Sequence, residues 1–290
     1  MHPDRDTLRS LWRRILAGGL LAKLHAVVGD VHGCFDALRR LEDRIARHAA
    51  REGLEPVVVS VGDLVDRGPK ASGVVGHVRR GVAAGTHVAV LGNHEEMMLA
   101  SIEAFAPGLL SEAGVVLHPA VVPYGAVWDR QQTPSSAWMP REMFCWFRTL
   151  MWLSQGGATT LQSYGTPRPH DPATWAMDEE DLRFLCGLPL VFRSDTIVVT
   201  HALLSAEALV ALDADDEEVL RKASGMALWG RARPPTPPDP ARIHVSGHTV
   251  LPRVRRRGRL RTVQVDTGAF LGRRLSAWCA ETDRVVSVPA

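Results

Sequence analysis

Three apolar runs early in the chain each end in glycine followed at once by a side chain able to hold a metal. They are HAVVGD (25–30), PVVVSVGD (56–63) and THVAVLGNH (86–94), giving Gly29-Asp30, Gly62-Asp63 and Gly92-Asn93. Near-continuous apolar runs of this length read as strands buried on both faces. FDALRRLEDRIARHAA (35–50), with Leu38, Leu41 and Ile45 at helical spacing, separates the first two runs. GVVGHVRRGVAA (73–84) separates the second and third, and EEMMLASIEA (95–104) reads as a helix after the third. Strand–helix–strand–helix–strand predicts a parallel sheet with right-handed crossovers. The carboxyl ends of such strands gather on one rim, where ligands bind.

The rhythm breaks between about 105 and 190. That stretch holds many prolines and five of the eight tryptophans, at 128, 138, 146, 152 and 175. We read it as a mostly helical cap inserted into a single catalytic domain spanning 1–290, with its aromatics forming the cap's own core. Strands return at DTIVVTHA (195–202), and the acidic ALDADDEEVLRKA (211–223) reads as a helix. The proline-rich RARPPTPPDPAR (231–242) reads as a loop. IHVSGHT (243–249), RLRTVQVDTGA (259–269), RLSAWCA (274–280) and RVVSVPA (284–290) are close enough in sequence to predict an antiparallel meander. Parallel strands first and antiparallel strands last predict an α/β fold of two sheets packed face to face.

Two of the later strands end in histidine, so five strand ends can bring Asp30, His32, Asp63, Asn93, His201 and His248 together. Carboxylate, imidazole and amide oxygen without thiolate suit a divalent ion such as Mn²⁺, Fe²⁺ or Zn²⁺. Asp63, from the middle strand, is the natural bridge between two ions. Arg67 offers a planar fork for two phosphate oxygens. His94 follows Asn93 directly and is placed to donate a proton to a leaving oxygen, with Asp66 orienting its ring. His25, His77, His87, His118 and His170 fall outside this constellation and read as surface or structural residues. Cys34 lies near the site in sequence and reads as a packed thiol.

With 34 Lys+Arg against 32 Asp+Glu, the balance gives no reason to expect a nucleic-acid or membrane partner. Four widely spaced cysteines (34, 145, 186 and 279) read as reduced thiols of a cytoplasmic protein rather than a disulfide framework. Arg13-Arg14 before an apolar stretch resembles a twin-arginine export signal. Lys23 and His25 interrupt that stretch, and its end is needed as the first strand, so a cytoplasmic location is expected.

GDVHG (29–33), GDLVDRG (62–68) and GNHE (92–95), followed by His201 and GHT (247–249), resemble the phosphoprotein phosphatase family of metallophosphoesterases, chiefly its compact bacterial and phage members. GGATTLQSYG (156–165) and VDTGA (265–269) also resemble segments of those members. The resemblance runs from about 25 to about 280. It implies a metal-bearing two-sheet sandwich flanked by helices. Asp30, His32 and Asp63 would hold one ion, and Asp63, Asn93, His201 and His248 a second, with Mn²⁺ the expected metal. His94 and Asp66 would be the general acid and its partner, and Arg67 and Asn93 would meet the phosphate. Arg231, with Arg233 as fallback, would supply a second phosphate arginine. Such enzymes attack with metal-activated water and form no phosphoenzyme.

The chain departs from the family at Ala202-Leu203-Leu204, where members carry HAG after the metal histidine, and at Val250-Leu251-Pro252 after GHT. Both changes bear on the substrate pocket rather than the ligands. The resemblance implies hydrolysis of phosphoserine or phosphothreonine in proteins, or of a small phosphoester. Its competitor is hydrolysis of dinucleoside polyphosphates, whose symmetrical enzymes tend to lack the acid found here at Asp66. A third reading is an inactive binding module on the same fold.

Overall fold

The computed structural model of the protein describes residues 22–130 and 139–290. Arg13-Arg14 and Trp138 lie outside the described residues. Two five-stranded mixed sheets face each other, with helices flanking them. The first sheet contains β1 (Lys23–Val28), β2 (Glu55–Ser60) and β3 (His87–Ala89), all parallel. The parallel strands of the second are β5 (Ile197–Thr200), β6 (Ile243–Ser246) and β8 (Thr262–Gln264), with β4 (Val191–Arg193) antiparallel at one edge and β7 (Arg255–Arg257) at the other.

The two crossovers of the first sheet are α1 (Phe35–Glu52) and α2 (Ala71–Ala83). Leu38, Leu41, Ile45 and Ala49 form the buried stripe of α1, as their spacing predicts. Between the sheets lies an almost purely valine core, including Val27, Val59, Val90, Val199 and Val245. Each such side chain contributes roughly 1.5–3 kcal/mol of burial free energy before chain entropy is counted.

The last third corrects the expected meander. β9 (Arg274–Cys279) and β10 (Arg284–Pro289) do pair antiparallel, but in the first sheet, where β9 lies against β1. β6 and β8 are parallel, not antiparallel. The chain leaves β6, runs back along β7 at the sheet edge, and returns as β8 between them. That detour lets both β6 and β8 end at the same rim, which a simple hairpin cannot do.

After β3 the chain forms α3 (Asn93–Phe105). Then come α4 (Pro107–Glu112), α5 (Tyr124–Arg130), α6 (Arg141–Trp152), α7 (Ala158–Ser163) and α8 (Glu179–Cys186). A kinked segment, Leu153–Gly157, with Gly156 in a non-helical conformation, joins α6 to α7. Trp152 and Trp175 are buried and meet edge to face at 5.7 Å, while Trp146 packs on Phe105. Helices α9 (Ala206–Ala211) and α10 (Glu217–Trp229) follow β5. No described helix is long and apolar enough to cross a membrane.

Candidate active site

Strand register determines which side chains meet. In the first sheet Val28, Ser60 and Ala89 are aligned, and Asp30, Asp63 and Asn93 follow two, three and four residues later. In the second sheet Val199, Val245 and Val263 are aligned, and His201, His248 and Asp266 follow two, three and three residues later. Ligand atoms of Asp30, Asp63 and His201 lie within 4.8 Å of one another, as do those of His32, Asp63 and His94. Asn93 Oδ1 stands 2.7 Å from His201 Nε2 and 3.1 Å from His248 Nδ1. All six sequence-predicted metal ligands therefore converge on one rim.

The backbone is bent to achieve this. Seven described non-glycine residues have positive φ, and five of them are His32, Asp63, Asp66, Arg67 and His248. Each left-handed residue costs on the order of 1–2 kcal/mol, so the surroundings must hold it there. One such holder is Glu95, fully buried, which the sequence reading missed. Its carboxylate accepts the N–H groups of Asp63, Leu64, Val65 and Gly92, at 2.8 to 3.1 Å. Burial and the charge of Asp63 push the Glu95 carboxyl up to about 7, against the pull of those donors. Gly92 is required by contact: a Cβ there would run into the backbone nitrogen and Oδ1 of Asp63.

Two rim histidines are fixed in one tautomer. Nδ1 of His32 points to Val65 O at 2.9 Å, and Nδ1 of His201 to Val61 O at 2.8 Å. A carbonyl only accepts, so Nδ1 carries the proton and the Nε2 lone pair faces the rim. Burial lowers His32 to about 3 and His248 to about 4, and it also lowers His201. These shifts favour the neutral ring, the form that ligates cations. Burial also raises the Asp63 carboxyl, but His201, His94 and His32 outweigh it and hold Asp63 below the usual carboxylate range. Asp30 is raised, by burial first and then by Asp266 and Asp63. A buried concentration of lone pairs and carboxylates, with His248 Nε2 and Asp266 Oδ2 lacking partners, fits divalent cations.

Beside these donors lies a proton-handling pair. His94 Nδ1 is 2.6 Å from Asp66 Oδ2, and both residues are buried. The helices after residue 140 hold Asp66 in place. Trp152 Nε1 donates to both of its carboxylate oxygens, at 3.2 and 3.0 Å, and Thr160 Oγ1 donates to Oδ1 at 2.7 Å. Trp152 is thus core, as its composition context suggested, and also a partner of the pair. Gly156, at φ 114, lies so close that a Cβ would strike the backbone nitrogen of Arg67. His94 is lowered by burial but raised further by Asp63 and Asp66, for a net upward shift. Arg67 spreads its fork over both rings: Nη1 is 2.6 Å from His32 Nε2 and Nη2 is 2.8 Å from His94 Nε2. Its Cζ lies 4.0 Å from the Phe270 ring centroid.

Arg231 is exposed and near enough for its charge to help lower His248, after burial and His201. Arg233 is also exposed. Cys34 is a half-buried free thiol raised by burial, which disfavours a reactive thiolate. Asp266 was missed as a rim residue, although RTVQVD carries the same signature of an apolar run ending in a polar side chain.

The profile of the calcineurin-like phosphoesterase family matches residues 25–252. Among curated proteins, a serine/threonine-protein phosphatase 1 of Salmonella typhimurium is 43% identical over 74 residues, covering 25% of this chain and 30% of that protein. A symmetrical bis(5'-nucleosyl)-tetraphosphatase of Delftia acidovorans is 40% identical over 77 residues, covering 26% and 25%. The chain therefore matches less than a third of the length of either relative. A cold-active protein-tyrosine phosphatase of a Shewanella species superposes over 92% of this chain and 80% of its own, at 16% identity and a TM-score of 0.47. Since the family profile extends from the first strand past the last rim histidine, the chain belongs to the calcineurin-like phosphoesterase family.

Proposed function

We propose that the protein is a metal-dependent phosphomonoesterase acting on phosphoserine and phosphothreonine in proteins. The observation that carries this reading is the buried Asp66–His94 pair, 2.6 Å apart and held by Trp152 and Thr160. Asp30, His32 and Asp63 would hold one divalent ion, and Asp63, Asn93, His201 and His248 a second, Mn²⁺ before Fe²⁺ or Zn²⁺. Such ions supply charge neutralisation at phosphoryl oxygens and a water of lowered pKa. Arg67 receives two phosphate oxygens in its fork, joined by Asn93 and, from the rim edge, Arg231. His94 Nε2 faces the Arg67 guanidinium as an acceptor in this structure. As the fork turns to the phosphate, Nε2 becomes free to take up a proton from solvent and, as the imidazolium, to donate it to the leaving alkoxide oxygen. Asp66 keeps Nδ1–H in place and stabilises the imidazolium before transfer. We read the chain as one cytoplasmic catalytic domain in which 105–190 is an insertion that supplies the support of Asp66.

A second reading is hydrolysis of dinucleoside polyphosphates. It is favoured by the several curated relatives named bis(5'-nucleosyl)-tetraphosphatase, symmetrical in most cases and asymmetrical in one. A side-by-side assay of a phosphopeptide panel and diadenosine tetraphosphate, with metal analysis of the same sample, separates the readings. Higher kcat/KM on phosphopeptides is expected. Preference for the dinucleotide replaces the first reading with the second, and no turnover with Mn²⁺, Fe²⁺ or Zn²⁺ removes both.

A further inference from the structure

His77 and His87, which the sequence leaves as isolated surface or structural histidines, meet at Glu42. Glu42 lies on α1, His77 on α2, and His87 opens β3, and one ligand atom from each lies within 4.8 Å of the others. His77 Nε2 is 2.9 Å from both carboxylate oxygens of Glu42, and His87 Nε2 is 3.1 Å from Oε1. The two rings stand edge to face at 5.3 Å. Donors bound to a tetrahedral zinc ion at about 2.0–2.2 Å lie about 3.3 Å apart, only a few tenths of an ångström wider than these separations.

The neighbouring groups accommodate the ligating form of both rings. Thr86 Oγ1 lies 2.9 Å from His87 Nδ1 and 3.2 Å from Gly81 O, so its hydroxyl can accept from Nδ1 while donating to the carbonyl. In the tautomer protonated at Nδ1, His87 Nε2 presents its lone pair toward Glu42. Arg39 Nη1, which can only donate, lies 3.3 Å from His77 Nε2 and 2.8 Å from Glu42 Oε2. His77 Nε2 can accept from that group in its own Nδ1-protonated tautomer. In those tautomers two ring lone pairs and a carboxylate face one another beside the Arg39 guanidinium. Protonating both rings would place three cations around one carboxylate, whereas one divalent cation satisfies all three donors. Two imidazoles and one glutamate form a known zinc donor set that leaves a fourth position open. The three side chains are 10 to 18% exposed, so an ion has access, and Arg39, half exposed, is free to withdraw.

We propose that Glu42, His77 and His87 bind one Zn²⁺ ion, separate from the rim, which clamps α1, α2 and β3 together. This proposal does not depend on the function proposed above. The test uses tag-free full-length protein, stripped with chelator, reloaded with Zn²⁺ and freed of excess metal. Wild type is compared with Glu42→Gln and with the double variant His77→Gln/His87→Gln. Each variant is expected to retain one zinc equivalent fewer than wild type. Zn²⁺ should raise Tm more in wild type than in either variant. With Co²⁺ in place of zinc, each variant should lose visible absorption of a four-coordinate ion that wild type shows. Circular dichroism checks the fold, and Glu42→Gln, which keeps side-chain shape, decides the matter if the double variant does not fold. Equal zinc content and an equal rise in Tm across the three proteins would overturn the proposal.

Discussion

The rim and the Glu42 cluster use similar side chains in opposite ways. At the rim the polypeptide backbone does the positioning. His32 and His201 donate Nδ1–H to main-chain carbonyls, five residues sit at positive φ, and Glu95 grips four main-chain N–H groups. In the Glu42 cluster only side chains converge, from three elements with ordinary backbone, and all three remain partly exposed. The difference teaches that a rim built for catalysis must resist reorganisation at the reacting atoms, whereas a cross-link between elements needs only donors that meet.

The contrast breaks most decisively at Asp63. Asp63→Ala should abolish retention of both rim metals and lower kcat/KM on the order of 10³-fold or more, as metal analysis and phosphatase assay would read together. Normal metal content in this variant would overturn the bridging role proposed for Asp63. His94→Asn is expected to keep both metals and lose about 10²–10⁴-fold in kcat, because a general acid acts only in the transition state. Metal loss would make His94 a ligand instead.

Asp66→Asn should cost less, about 10–100-fold, and should show a pH signature. His94 is raised in the folded protein, so its donating form persists above the ordinary histidine value and is lost as pH rises through the shifted one. Removing the Asp66 charge should move the alkaline limb of the kcat profile to lower pH. An unmoved limb would show that Asp66 does not set this titration. Glu95→Gln should destabilise the fold by about 1–3 kcal/mol in a denaturant titration, since its amide cannot accept all four N–H groups. The smallest effect is expected at the second cluster: His77→Gln should leave kcat and KM unchanged, and a drop in either would tie that cluster to the rim.

The convergence of these residues was legible because apolar runs name the strands, and the residues ending those runs name the rim. Asp30, Asp63, Asn93, His201 and His248 all follow this logic. Asp266 follows it too, but RTVQVD was assigned to a meander, and an antiparallel β8 would not have ended at the rim. Glu95 was not legible: its partners at 63–65 lie some thirty residues upstream, and GNHE looks the same whether its glutamate caps a helix or clamps a distant turn. The hold of Trp152 and Thr160 on Asp66 spans more than eighty residues of sequence and exists only once the helices after residue 140 dock. Glu42, His77 and His87 lie on two separate helices and a strand, so no single periodicity groups them.

Trp152, Gly156 and Thr160 recur every four residues, and all three bear on the Asp66-Arg67 turn. They therefore behave as one three-toothed key cut for that turn. Anyone exchanging this stretch between related chains, to graft a new specificity, has to transplant the three teeth as a unit. The kink between the first and last of them belongs to the same blank, because the non-helical Gly156 is itself the middle tooth.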